Sequence, residues 1–336
     1  MTGPSAQVRI ILAALIVACL IAFSLPALAQ QATPIDPDAS VQNEQTLLQQ
    51  APRIQGDIDQ LDPRARVLIQ PAGRVWDHFH EVTLRWIGAI AILGTLAGLA
   101  AAYLLLGPLR ISAGRSGRKI LRFKFFERFA HWLTASSFVV LALTGLNITF
   151  GKLLLRPLIG PEAFSAVSQA AKYVHNYLSF AFVTGLVLII AMWMKDNIPD
   201  KVDVEWFKQG GGFIKSKHAP ARRFNAGEKL VFWGALGAGL GVVVSGYLLL
   251  FPFYVTNIFG MQIAQAVHGI VALLFIAMII GHIYIGTLGM EGAFEAMGTG
   301  KVDYNWAKEH HDLWLREQLA KGHRNQSELP SATPAE

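Results

Sequence analysis

Cysteine is nearly missing from this sequence. Cys19 is the only one in 336 residues, and it lies in the N-terminal apolar run. Disulfides, a zinc–thiolate site, an iron–sulfur cluster and covalent C-x-x-C-H haem attachment are thereby excluded within this polypeptide. Charge is scarce as well, at 15% of residues, and it clusters between apolar runs. With 53% hydrophobic residues and a mean hydropathy of +0.39, an ordinary soluble domain is excluded. Strand-like alternation is lacking, which disfavours a membrane β-barrel. What remains is a polytopic all-α membrane protein. The isoelectric point near 9.4 reflects lysine and arginine in cytoplasmic loops and calls for no nucleic acid.

In chain order, residues 1–29 read as a signal peptide: Arg9 is the positive flank, Ile10–Leu25 the apolar core and Ala27-Leu28-Ala29 the cleavage box. An uncleaved anchor is the alternative. Residues 30–82 read as a polar periplasmic segment, in which His78 and His80 lack neighbouring ligands for a metal. Residues 83–108 hold an additional transmembrane helix, Trp86–Gly107, with Gly88, Gly94 and Gly98 suited to close helix contact. Residues 109–289 hold four more spans, at about Phe129–Phe150, Tyr173–Met194, Leu230–Phe251 and Met261–Gly289. Residues 290–336 form a cytoplasmic tail. The connections 110–128 and 195–229 are strongly basic and the others are not, which sets the C-terminus inside. Gly210-Gly211-Gly212 has no preceding strand and no following G-K-[ST], so it reads as a turn.

The last span carries His268 and His282 in hydrocarbon, where ionisable groups are rare and mark function. Fourteen residues put them ~21 Å apart on nearly one helix face. That is too far for one metal and suited to two stacked haems. Gly269 and Gly281, beside these histidines, are expected to leave room for a macrocycle. Depth decides the partners. His131 begins a helix leaving the cytoplasmic face, and His282 ends one returning to it. His175 and His268 both belong toward the outer face. The expectation is two bis-histidine haems b, an inner one on His131 and His282 and an outer one on His175 and His268. With both axial positions filled, electron transfer is the expected work. Hydroxyls or backbone carbonyls should hold each second ring nitrogen. A transporter using histidines as proton relays is the rival from another class.

Asn225 reads as a helix N-cap, with Glu228 three residues on completing a capping box. His310 and His311 in the tail read as docking or packing residues.

Several stretches together are similar to the gamma subunit (membrane cytochrome b) of respiratory formate dehydrogenases, over about Arg118–Glu317. These are FERFAHW (126–132), DNIPDKVDVEWF (196–207), RRFNAGEK (222–229), the His268/His282 spacing and GKVDYNWAKEHHDLW (300–314). The resemblance implies a four-helix di-haem core, to which the N-terminal helix and signal-like segment are additions. It implies an inner-membrane anchor subunit that receives electrons from a periplasmic iron–sulfur beta subunit. The catalytic alpha subunit, with molybdenum or tungsten, would be the formate-oxidising partner. It further implies a quinone pocket bordered by Asn225, Gly227 and His282 near the cytoplasmic face. The cytochrome b subunit of a nickel–iron hydrogenase or thiosulfate reductase would share this chemistry and differ in partner.

Overall fold

A computed structural model describes residues 73–211 and 219–327, with side chains from Val75 and up to Lys321. The signal-like segment, Cys19, most of the polar segment after it, Gly212, His218, the side chain of His323 and the C-terminal end lie outside the described residues.

The long elements are helices because long apolar runs in lipid must satisfy every backbone group internally. In order they are α1 (Gly73–His78), a five-residue π-helical turn (Phe79–Thr83), α2 (Leu84–Leu106) and β1 (Lys119–Leu121). Then come α3 (Phe125–Leu154), α4 (Arg156–Ile159), α5 (Pro161–Trp193), a 3-10 turn (Lys195–Asn197) and α6 (Lys201–Lys208). α7 (Ala226–Leu250) and α8 (Ile258–Tyr284) follow, the latter continued by a π-helical turn over Ile285–Gly289. The chain ends in α9 (Ala293–Gly298), β2 (Lys301–Asp303), α10 (Tyr304–His310) and α11 (Asp312–Ser327).

Among the described residues, five stretches are long and apolar enough to cross a membrane: Val75–Leu106, Phe125–Leu154, Pro161–Trp193, Ala226–Leu250 and Ile258–Gly289. The protein is a predominantly helical, multi-pass membrane protein. The first and third helices run well past their expected starts at Trp86 and Tyr173. Polar sequence continues a helix once a long apolar run has nucleated it, because each added residue gains a hydrogen bond.

The described chain divides into two compact units: α2 belongs to one of them, while α3, α5, α7 and α8 contribute to both. One unit holds the residues up to Gly107, Thr144–Asn176 and Ala238–Ile280. Between 238 and 280 it has no Lys, Arg, Asp or Glu. Its helices associate by close packing, as expected where lipid removes the hydrophobic drive between helices. A Cβ on Gly88 would lie 2.8 Å from Leu273 and 2.9 Å from Phe150. Gly94 and Gly98 have nothing within 4 Å of such an atom, so only Gly88 performs the packing expected of all three. Arg85 pairs with Glu81 and donates to the Thr149 carbonyl at 3.1 Å. His80 meets Gln265 at 3.2 Å.

The other unit holds Pro108–Leu143, Tyr177–Gly237 and Gly281 onward. It has a core of its own, with Phe123, Trp193, Phe224, Val302, Trp306 and Trp314 at the centre. β1 and β2 pair antiparallel, with Ile120 opposite Val302, and tie the sequence before α3 to the tail. These strands are three residues each, too short for alternation to reveal them. The turn into β2 depends on Gly300, at φ +82°, where a Cβ would sit 2.5 Å from the Phe123 carbonyl oxygen. That close approach lets Arg122 and Phe123 donate to the Gly300 carbonyl at 2.8 and 3.1 Å. Asp303 caps α10 and also accepts from the backbone N–H groups of Ser116 and Gly117. Partial burial pulls its carboxyl up, but these donors outweigh burial and hold it below the usual carboxylate range.

Candidate functional site

Two pairs of imidazoles face each other. His131 of α3 and His282 of α8 have ring centroids 6.3 Å apart, and those of His175 of α5 and His268 of α8 are 6.2 Å apart. Each pair lies wholly within one unit. Metal–imidazole bonds run about 2.0–2.1 Å and a ring nitrogen lies about 1.1 Å from its ring centre, so imidazoles on opposite sides of one metal ion have centroids about 6.2–6.4 Å apart. Both separations match that value. Among the described residues no group of three or more His, Cys, Asp or Glu could hold a metal, which leaves the two-histidine sites as the candidates. The donor set also fits haem iron, which takes axial imidazole and draws its other ligands from the macrocycle.

The surroundings of the two pairs differ. His175 Nδ1 lies 2.8 Å from the Thr144 hydroxyl, and His268 Nδ1 lies 3.1 Å from that of Ser245. Each hydroxyl is followed by a glycine against the same imidazole. A Cβ on Gly145 would be 3.5 Å from His175 Cε1, and one on Gly246 would be 3.1 Å from His268 Cε1. Sequence reasoning singled out neither hydroxyl. The repeated Thr-Gly and Ser-Gly steps inside apolar helices were the signal available. By contrast, His131 Nδ1 is buried with no hydrogen-bond partner among the described residues. The neighbouring glycines also divide. A Cβ on Gly281 would meet nothing within 4 Å, whereas one on Gly269 would meet Leu84 of α2 at 3.0 Å. The expected room beside His268 is therefore filled by a side chain of the additional helix.

The FERFAHW stretch builds the start of α3. Glu127 accepts from the Lys124 N–H at 2.8 Å and from the Trp193 indole at 2.9 Å, and it pairs with Arg223. Arg128 and Trp132 donate to the carbonyl of Met297, the latter at 3.0 Å. These bonds fix the helix turn that presents His131.

RRFNAGEK is equally engaged. Arg222 reaches Asp200 at 2.9 Å, and that carboxyl is held low: burial works against this, and the Arg222 hydrogen bond leads what outweighs it. Arg223 bridges Glu127 and Asp196, while Phe224 packs on Phe123 and Trp193. Asn225 caps α7. Its Oδ1 accepts from the Glu228 N–H at 2.9 Å, and the Glu228 carboxylate accepts from the Asn225 N–H at 3.0 Å. The Asn225 side-chain NH2 is not used by this cap. Gly227 lies under Trp206, whose ring would be 3.1 Å from a Cβ there, so packing alone accounts for this glycine. Glu228 also pairs with the buried Arg122, and Lys229 with Asp203, both at or below 2.9 Å.

His311 closes this assembly from the tail. Its side chain is fully buried, and its Nδ1–H donates to the Arg222 carbonyl at 2.8 Å. Its Nε2 stands 3.7 Å from Glu228. Burial first, and the Arg122 guanidinium second, push its pKa down to about 3. The imidazole is a neutral packing element in the folded protein.

Membrane helices presenting facing imidazoles define a helical membrane cytochrome. Residues 122–300 match the family model described as prokaryotic cytochrome b561, and the chain belongs to that family. It is 28% identical over 207 residues to the Escherichia coli K12 protein named formate dehydrogenase, nitrate-inducible, cytochrome b556(Fdn) subunit, covering 60% of this chain and 92% of that one. It is 28% identical to the cytochrome b556(fdo) subunit of the same organism, covering 59% and 92%. The Haemophilus influenzae formate dehydrogenase cytochrome b556 subunit is 26% identical, covering 60% and 84%.

Proposed function

We propose that this chain is the haem b anchor subunit of an inner-membrane formate dehydrogenase. In this reading it carries electrons from a periplasmic iron–sulfur subunit to quinone near the cytoplasmic face. A partner with molybdenum or tungsten oxidises formate. The observation that carries the reading is the pair of imidazole separations, 6.3 and 6.2 Å, each suited to one six-coordinate iron.

His131 and His282 would hold one haem and His175 and His268 the other. Haem b supplies reversible one-electron chemistry when bound. The chain itself supplies the ligands, their orientation and a water-poor surround. Basic connections support a cytoplasmic position for the His131–His282 pair. There the unused amide N–H2 of Asn225 is suited to hydrogen-bond a quinone oxygen, with His282 adjoining. Gly227 would border that pocket through its backbone. The named relatives favour formate dehydrogenase over a hydrogenase as the complex served.

Purification of the intact complex tests this. Iron–sulfur and molybdopterin or tungstopterin subunits should co-purify, with two b-type haems per chain in a reduced-minus-oxidised spectrum. A nickel–iron pair would move the chain to a hydrogenase. A colourless preparation would end the cytochrome reading.

A further inference from the structure

The two hydroxyls beside the His175–His268 pair carry information about charge as well as position. Ser245 Oγ lies 2.6 Å from the Gly241 carbonyl oxygen and donates its single proton there. Toward His268 Nδ1, at 3.1 Å, the same oxygen can only accept. His268 therefore carries its proton on Nδ1 and offers an unprotonated Nε2. The Thr144 hydroxyl lies 2.8 Å from His175 Nδ1, within reach to accept from an Nδ1–H there. The following residues, Gly145 and Gly246, let each imidazole lie close against helix backbone. The Thr-Gly step on α3 and the Ser-Gly step on α7 thus each set a hydroxyl and a glycine against one imidazole. Among the described residues nothing equivalent holds His131, whose buried Nδ1 has no hydrogen-bond partner there.

We infer that Ser245 and Thr144 are positioning residues that fix the Nδ1–H tautomer of His268 and His175. They thereby lower the reduction potential of that site relative to the His131–His282 site. An imidazole that donates from its second nitrogen is a more basic ligand and favours the oxidised metal. With haem bound, hydrogen bonding to these ligands would favour electron movement from the His175–His268 site toward His131–His282. This inference rests on the haem reading above, and its test separates the two.

The full complex would be titrated potentiometrically, following each haem by optical and electron paramagnetic resonance spectra. Ser245→Ala should keep both haems and raise only the potential of the His175–His268 site. A tenfold change in its oxidised-to-reduced ratio at fixed ambient potential is expected, equivalent to about 59 mV for one electron. Ser245→Thr should restore it, and Thr144→Val with Thr144→Ser should repeat the pattern. Loss of that haem in Ser245→Ala with recovery in Ser245→Thr also supports the inference. If both serine variants lose the haem, the threonine pair decides by the same criterion. Unchanged potentials and spectra in Ser245→Ala and Thr144→Val overturn it. The haem reading fails separately, if His268→Ala leaves two haems in place.

Discussion

The two histidine pairs sit in opposite kinds of surroundings. Around His175 and His268 the protein uses hydroxyls, glycines and apolar side chains. Toward His131 and His282 it builds arginine–carboxylate and lysine–carboxylate pairs over a tryptophan-rich core. On the proposed reading, the first kind suits a site that would only pass electrons, and the second a site where quinone would take up electrons and protons. The apolar unit is held by packing in lipid, whereas the charged one has a hydrophobic core of its own. Damage should therefore spread differently from each.

The largest expected effect comes from removing a ligand. His282→Ala should halve the haem count and abolish quinone reduction, while the His175–His268 haem remains reducible by the partner subunits. Two retained haems with normal quinone turnover would break the assignment. Next is the folded tail. Trp306 is 2% exposed, and Trp306→Ala should cost about 3–5 kcal/mol in a denaturation series. The spectrum of the His131–His282 haem should be disturbed first. Equal disturbance of both haems would erase the contrast drawn here. Breaking the Lys229–Asp203 pair with Lys229→Met strands a carboxylate that is 8% exposed, at about 3–5 kcal/mol, and the same unit should suffer first.

Acid provides a gentler probe. His311 has a folded pKa of about 3 and an unfolded one near 6.5, so the folded protein binds fewer protons between those values. Its contribution is fully present above about pH 6.5 and declines as pH falls toward 3. Thermal melting of the detergent-solubilised complex should drop between pH 7 and 5, above the range where Asp200 and Asp303 protonate. His311→Gln should flatten that slope; an unchanged slope would assign it to other groups. The smallest expected effect is Asn225→Ala. It should cost about 1 kcal/mol of helix capping and also raise the KM for quinone with both haems retained. Unaltered quinone kinetics would leave Asn225 a cap and nothing more.

Much was legible along the chain. Long apolar runs made the spans visible, and Asn225 with Glu228 spelled the capping box that the structure contains. The four histidines stood out because imidazole in hydrocarbon needs a reason. Less legible were the things that depend on which helix faces which. Gly269 looked open and is covered by Leu84, while Gly94 and Gly98 looked like contacts, yet a Cβ on either would meet nothing within 4 Å among the described residues. Thr144 and Ser245 passed unnoticed because a hydroxyl in an apolar helix ordinarily bonds to its own preceding turn. His311 in a charged tail gave no sign of being wholly buried.

By itself the sequence determined a helical membrane protein, its spans and four histidines with chemistry in common. Those follow from composition, periodicity and the cost of burying polar groups, which are properties of a segment and its solvent. Only the tertiary structure decided the centroid separations, the hydroxyl beside each of two imidazoles and the burial of Arg122 and His311 under the tail. Each depends on residues far apart in sequence meeting within a few ångströms, and local patterns carry no such distance.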